Sequence, residues 1–250
     1  MVKSKPEDKL LIESELFQTV FKKNTVLLKE NFRQQNDKRY IDLLLRVRQG
    51  KQTKEDIQLL NTRLISKMKL ETDLSSVVHL VSSNKKCQQI NAIEMSKISE
   101  QGVTFEAFYN SNNANPETCE MLQKELQSQL NLRGIHSLTL KKGCRVMLIK
   151  NLDVSLGLVN GSTGTVQEIH MKGVVVNFDN GVTDTIKSVD WDIEIDDCKV
   201  TCSQIPLMLA YSLTVHKSQS LTLDKAVLDL SDAFCNHQVY VSLSRVASLD

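Results

Sequence analysis

The stretch that decides the fold is IPLMLAYSLTVHKSQSLTLDKAVLDL, residues 205–230, followed after a short spacer by QVYVSLSR, residues 238–245. An apolar run, LMLAYSLTV, delivers a polar cluster, His216-Lys217-Ser218-Gln219. A second apolar run, Ala226 to Leu230, has the length of a buried strand. Val239, Tyr240, Val241 and Leu243 then predict a helix that carries Arg245 out of the apolar body. A buried element ending in cations and amides suits an anion such as a phosphate.

VHKSQSLTL followed by YVSLSR resembles the last two motifs of the Pif-type DNA helicases, relatives of the RecD helicases in helicase superfamily one. Both motifs occur in the family's order. The family usually has glycine after HKSQ, where this chain has Ser220.

Moving toward the N-terminus, Val77 to Val81 reads as a buried strand. Ser82-Ser83-Asn84 can cap a helix whose apolar side is Cys87, Ile90, Ile93 and Met95. Such a strand–turn–helix is an ordinary αβ unit, and also a place where backbone N–H groups can meet a nucleic-acid phosphate. SSNKKCQQIN resembles the family's strand–TNK–helix element. Earlier still, an apolar patch spans Leu10 to Phe21, and Thr25 to Leu28 is a strand-like run leading into Asn31-Phe32-Arg33-Gln34. By itself NFRQ reads as a strand end and turn with an exposed arginine. Tyr40, Leu43, Leu44 and Val47 repeat at helical spacing, with Gly50 as the stop. Thr53-x-x-Asp56 opens the next helix in capping-box fashion, with Ile57, Leu60 and Leu64 behind it. The order ENFRQ, a helix ending in RQG, then TKEDIQLLN resembles the opening of the family's second motor domain.

Downstream, residues 110–118 are a polar loop, and Leu122 to Leu130 fits a short helix. Leu138 to Leu140 and Arg145 to Ile149 resemble two strands around a Lys141-Lys142-Gly143 turn. Lys150 to Asp153 and Leu158 to Gly164 fit the family's LMxNLD…LxNGxxG stretch; the glycine spacing matches no phosphate fingerprint. Thr165–Ile169, Val174–Phe178 and Val182–Ile186 read as strands, with Asp179-Asn180-Gly181 as the hairpin turn. Short strands around tight turns predict a small Src-homology-type barrel. In the family such a barrel is inserted at this point and helps guide single-stranded DNA. Trp191, the only tryptophan, either packs the barrel or stacks a base.

Length and composition limit the classes. The 250 residues suffice for one large or two small domains, 41% of them are apolar, and no run reaches the ~18–20 apolar residues of a membrane span. MVKSKPEDKL has no apolar stretch behind its charges, so no secretory signal is expected there. A net charge of +1 gives no global cationic field and leaves open a local basic groove. Cys198 and Cys202 form a lone close pair without a further pair for zinc, and the six cysteines read as reduced thiols of an intracellular protein.

None of the nine glycines starts a G-x-x-x-x-G-K-[ST] loop. The resemblance covers roughly residues 25–250 and the second half of a motor. It implies an α/β fold: a RecA-like second motor domain from 25–150 and 205–250, with the small barrel inserted at 151–204. Residues 1–24 are then a linker or a remnant of the first motor domain. It implies ATP-dependent 5′-to-3′ unwinding of DNA in repair, recombination or replication. The implied cofactors are ATP and magnesium, whose sites lie mostly on a first RecA-like domain supplied by the same gene or in trans. It implies Arg245 and Arg33 as catalytic arginines, and Arg33, Gln34, Lys217, Gln219 and Arg245 as nucleotide-contacting. Asn84, Lys85, Asn160, His216, Lys217, Ser218 and Gln219 are implied contacts to single-stranded DNA. No metal ligand and no membrane are implied. The expected setting is intracellular, nuclear or mitochondrial, or viral. The chain is expected to be a piece of a longer helicase; the alternative is an inactive single-stranded nucleic-acid-binding module or partner derived from one.

Overall fold

A computed structural model describes residues 13–21, 24–26, 28, 30–64, 77–112, 115–133, 136–195, 197–223 and 225–249. The chain divides into two compact units, residues 1–32 and 33–250. The described part of the first carries one helix, α1 (Glu15–Phe21), whose N-terminus is held by Ser14 Oγ accepting from the Phe17 N–H at 3.1 Å. Leu10 and Leu27 of the expected apolar patch and strand lie outside the described residues. Thr25, Val26 and Leu28 are not in a strand.

The second unit is built on a three-stranded parallel sheet in the order β12 (Ser212–Thr214), β1 (Val78–Val81), β13 (Ala226–Asp229). Val81 lies level with Thr214 on one side and Asp229 on the other, so all three strands end together. Between β1 and β12 runs α4 (Asn84–Ser96), capped by Ser83 Oγ accepting from the Lys86 N–H. Its Asn91 side chain accepts from the Ser212 N–H at 2.9 Å and donates to the Ser212 carbonyl at 3.2 Å. Helices α2 (Lys38–Arg48) and α6 (Asn236–Leu243) pack together through buried Tyr40, Leu43, Leu44 and Leu243, with Leu228 of β13 against them. As expected, Gly50 ends the α2 segment in the left-handed region at φ 67°. The capping box of Thr53 and Asp56 starts α3 (Lys54–Asn61). Here Leu59 and Leu60 pack inward while Ile57 and Leu64 are exposed, because α3 turns a different stripe to the core than its first apolar residue suggests.

The LMLAYSLTV run is two strands rather than one. Its first part, β11 (Leu207–Leu209), pairs antiparallel with β5 (Arg145–Leu148); its second part is β12. The break is fixed where the Ala210 N–H donates to the Arg145 carbonyl and the Arg145 N–H donates to Tyr211 Oη. From β5 the antiparallel sheet continues through β6 (Thr163–His170), β7 (Gly173–Phe178) and β8 (Thr183–Ile186). The β7–β8 turn holds Gly181 at φ 86°, as its Asn-Gly sequence requires. Strands from both sides of 151–204 thus join β6 to β8 in one five-stranded sheet. Its buried face carries Val146, Leu148, Val166, Val174, Val176 and Phe178.

A second antiparallel sheet orders β3 (Phe108–Ser111), β10 (Cys198–Gln204) and β9 (Val189–Ile195), covered by α5 (Pro116–Arg133). Trp191 is partly buried against this cluster, with the Lys150 ammonium 5.2 Å from its ring centre. α5 is longer than the predicted 122–130 helix, starting on Pro116, which is suited to a first helical turn. The two strands expected at 138–140 and 145–149 both form around the Lys141-Lys142-Gly143 turn, but they do not pair with each other. β4 (Ser137–Leu140) pairs instead with β2 (Val103–Glu106), a strand the sequence reading missed. The reduced-thiol expectation fails at one pair: Cys119 of α5 and Cys198 of β10 are joined, with Cα atoms 5.8 Å apart, because α5 lies across that strand. Among the described residues, no helix is long and apolar enough to cross a membrane.

Candidate nucleotide and nucleic-acid site

In open α/β sheets, ligands collect beyond the carboxyl ends of parallel strands. Here that edge is formed where β1, β12 and β13 stop level with one another. After β1 come Ser82 and Ser83, then Asn84 and Lys85, both exposed on the first turn of α4. Lys86 is not open in the same way. Its ammonium binds Asp229 at 2.6 Å and Ser231 Oγ at 3.1 Å, which fastens α4 to the end of β13. The hydrogen bond to Lys86, then that to Ser231, holds the Asp229 carboxyl below its ordinary range.

After β12 the chain makes a compact turn over residues 215–220. Ser218 is its buried pivot: its N–H donates to the Thr214 carbonyl and its Oγ to the Val215 carbonyl. His216 and Gln219 are exposed and Lys217 is half-buried. Ser218 therefore presents no side chain to a ligand, and it shapes the turn that presents its neighbours. Ser220, exposed, is the one non-glycine residue among those described at positive φ, 70°.

The two arginines meet at the C-terminal end of α6. A helix leaves its last carbonyls without partners, and cations are favoured there. Arg33 donates from Nη1 to the Ser244 carbonyl at 2.7 Å and from Nε to Thr222 Oγ1 at 3.0 Å. Arg245 donates from Nε to the Val241 carbonyl at 2.8 Å, from Nη1 to the Ser218 carbonyl at 3.2 Å, and from Nη2 to Ser244 Oγ at 2.8 Å. Burial, and then the neighbouring Arg33 guanidinium, pushes the Arg245 pKa down. Gln34 is buried; its Nε2 donates to the Val246 carbonyl at 2.6 Å and to that of Ser244 at 3.3 Å. Tyr40 Oη donates to the Leu243 carbonyl at 2.6 Å. Sequence reasoning missed Tyr40 and Thr222 as partners; Tyr40 looked like one more apolar position on α2. Tyr240 packs on the α2–α6 core, 6.0 Å below the Arg48 guanidinium.

Asn160 lies apart from the arginines. It is exposed on the loop before β6, where its N–H donates to Asn151 Oδ1 at 2.8 Å. That loop and Ser220, Thr222, Leu223 and Lys225 line a cavity of about 710 Å³, with Arg145 in its wall. Arg145 is already engaged by the Asp179 carboxylate at 2.6 Å. The two walls touch closely: a Cβ on Gly161, φ 99°, would stand 3.0 Å from Leu221 Cδ2. The segment from Ser218 to Thr222 thus touches both the arginine pair and the Asn160 loop.

A family model described as DNA helicase Pif1, 2B domain, matches residues 125–169. An ATP-dependent DNA helicase PIF1 of Xenopus laevis is 35% identical over 224 residues, which is 87% of this chain and 33% of the relative. The chain matches the C-terminal portion of the Pif1-type helicases. A crystal structure of Bacteroides Pif1 in complex with ADP-AlF4 superposes with a TM-score of 0.68 at 27% identity, over 91% of this chain and 51% of that one. Another, of Bacteroides Pif1 with ADP-AlF3 and single-stranded DNA, gives a TM-score of 0.56 at 26% identity, over 90% and 50%. The fold is thus the mixed α/β, RecA-like fold of Pif1 helicases. The chain spans about a third of the length of the curated Pif1 relative it matches and about half of these solved Pif1 chains.

Proposed function

We propose that this chain supplies the second RecA-like half of an ATP-dependent DNA helicase that unwinds duplex DNA with 5′-to-3′ polarity, in repair, recombination or replication. The observation that carries the reading is the convergence of Arg33 and Arg245 on Ser244, with the HKSQ turn held by Arg245 through the Ser218 carbonyl. Two guanidiniums kept side by side against their repulsion suit an anion facing both. ATP, with magnesium, supplies the phosphoryl group whose transfer drives such a motor. Arg33 and Arg245 would face that phosphate from this half, with Gln34 fixing the backbone beneath them and Lys217 and Gln219 beside them. The sequence has no G-x-x-x-x-G-K-[ST] loop, so a first RecA-like domain is assigned the phosphate cradle and the magnesium.

Single-stranded DNA is assigned to Asn84, Lys85, His216, Lys217 and Gln219 at the level strand ends, and to Asn160 on the cavity wall. Ser218 acts by shaping the turn. The five-stranded sheet, of which β6 to β8 lie within 151–204, is read as the inserted barrel that guides the strand. The setting is intracellular, nuclear or mitochondrial, or viral. The same lack of a P-loop favours one other reading, an inactive single-stranded nucleic-acid-binding module or a partner completing an ATP site in trans.

One experiment tests both readings. Residues 1–250 alone should hydrolyse ATP no faster than buffer, yet bind single-stranded DNA with an affinity that falls steeply with salt. Joined to a first RecA-like domain from a Pif1 relative, the chain should show DNA-stimulated ATP turnover. Turnover by 1–250 alone contradicts the half-motor reading. A joined protein that binds DNA without turnover favours the inactive module.

A further inference from the structure

We propose that Phe234 and His216 together form an aromatic platform that stacks a base of single-stranded DNA at the C-terminal edge of the parallel sheet; this rests on the DNA-binding reading above. The two rings lie 6.3 Å apart between centres and 29° from parallel. His216 belongs to the turn after β12 and Phe234 to the connection after β13, so the pair spans the ends of strands lying on either side of β1. Asn84 and Lys85 follow β1 itself at that same edge.

Phe234 is 70% exposed. A phenylalanine is costly to leave in water, because its ring carries a large apolar surface. A floppy loop would let it collapse, but this one is pinned. The Phe234 N–H donates to Oε1 of fully buried Gln238 at 3.2 Å, and the Ala233 N–H donates to the Leu230 carbonyl. The His216 side is pinned by the Gln219 N–H donating to the His216 carbonyl and by the buried Ser218 pivot. The fold thus holds two flat rings outward on fixed turns, with Lys217 next in chain. Gln238 Nε2 is buried without a hydrogen-bond partner, and buried polar atoms normally have one. The first turn of α6, which holds the ring's loop, therefore keeps a spare donor. Flat rings beside a cation suit a nucleobase with its phosphate, and stacking of this kind is sequence-tolerant because every base has a π-face.

The test uses residues 1–250 and an oligothymidylate with one internal 2-aminopurine, whose fluorescence is quenched by aromatic stacking. Wild type should quench it on binding. Phe234→Leu should lose the quench and weaken binding about 5- to 150-fold at fixed salt, with an unchanged salt slope. Phe234→Trp should restore both, and it guards against a misfolded leucine variant, as does an unshifted melting temperature. If wild type binds the oligonucleotide and Phe234→Leu matches it in quench and affinity, the platform is overturned while the DNA-binding reading stands. If wild type does not bind, both fall.

Discussion

Arg33 and Arg245 share one anchor: Ser244 takes the Arg33 Nη1 on its carbonyl and the Arg245 Nη2 on its hydroxyl, at 2.7 and 2.8 Å. Both cations also cap the end of α6, so each has a structural role in addition to the proposed catalytic one. A C-terminal cation is worth typically 0.3–1 kcal/mol, whereas an arginine acting on transition-state charge is worth about 10³–10⁵ in rate. The two roles therefore differ enough in magnitude to be told apart.

Ser220 should be a site of easy stabilisation. At φ 70° a side chain costs roughly 1–2 kcal/mol. Glycine removes that strain but loosens the unfolded chain by about 0.4–1 kcal/mol. Ser220→Gly is expected to gain up to about 1 kcal/mol, read as a higher urea midpoint with an unchanged slope. Ser220→Val should lose stability, since a branched side chain fits this region worse still.

Gly161 should be intolerant for two separable reasons. Its φ is 99°, and an added Cβ would press on Leu221 Cδ2 at 3.0 Å. Gly161→Ala is expected to lose about 1–3 kcal/mol, from the backbone region and the crowding together. Adding Leu221→Ala should recover only the crowding part, so the double variant should be less destabilised than the two single changes summed. Strict additivity in urea unfolding would mean that the two walls do not bear on each other.

Acid should find a weak point at Asp56. The Arg46 guanidinium grips its carboxylate at 2.7 Å on both oxygens, the Thr53 N–H adds a third bond, and together they hold its carboxyl well below the usual range. Its folded pKa is depressed. The stabilisation is therefore complete above the unfolded value of about 3.9 and drains away as pH falls below it. Asp56→Asn should melt lower than wild type at pH 7, and the gap should narrow between about pH 4 and pH 2. A gap constant with pH would contradict the assignment.

Local chemistry was readable in the sequence, and pairing across the chain was not. Thr53 with Asp56, Ser83 before α4, and Asn180-Gly181 each announce their structure within a few residues, because caps and turns are satisfied locally. The parallel register joining Val81 to Thr214 and Asp229 spans well over a hundred residues and leaves no local trace. For that reason the sequence reading placed His216 and Asn84 on separate motifs without seeing that they share an edge. β2 and β3 escaped because they are short and largely exposed. At the candidate site, Arg245 was legible as the cation carried by the last helix, whereas its pairing with Arg33 in one catalytic role came through the resemblance. Their meeting at Ser244, and the buried roles of Gln34 and Ser218, depend on where α6 ends in space.

The most direct measurement is ATP turnover by Arg245→Ala in the chain joined to a first RecA-like domain, read beside DNA affinity and melting temperature. The account predicts a fall of about 10³–10⁵ in DNA-stimulated turnover, poor rescue by Arg245→Lys because an ammonium lacks the planar fork, nearly unchanged DNA binding, and a stability loss of at most about 1 kcal/mol. Turnover within a few-fold of wild type, or a loss of DNA binding ahead of turnover, would contradict it and leave Arg245 as a cap on α6.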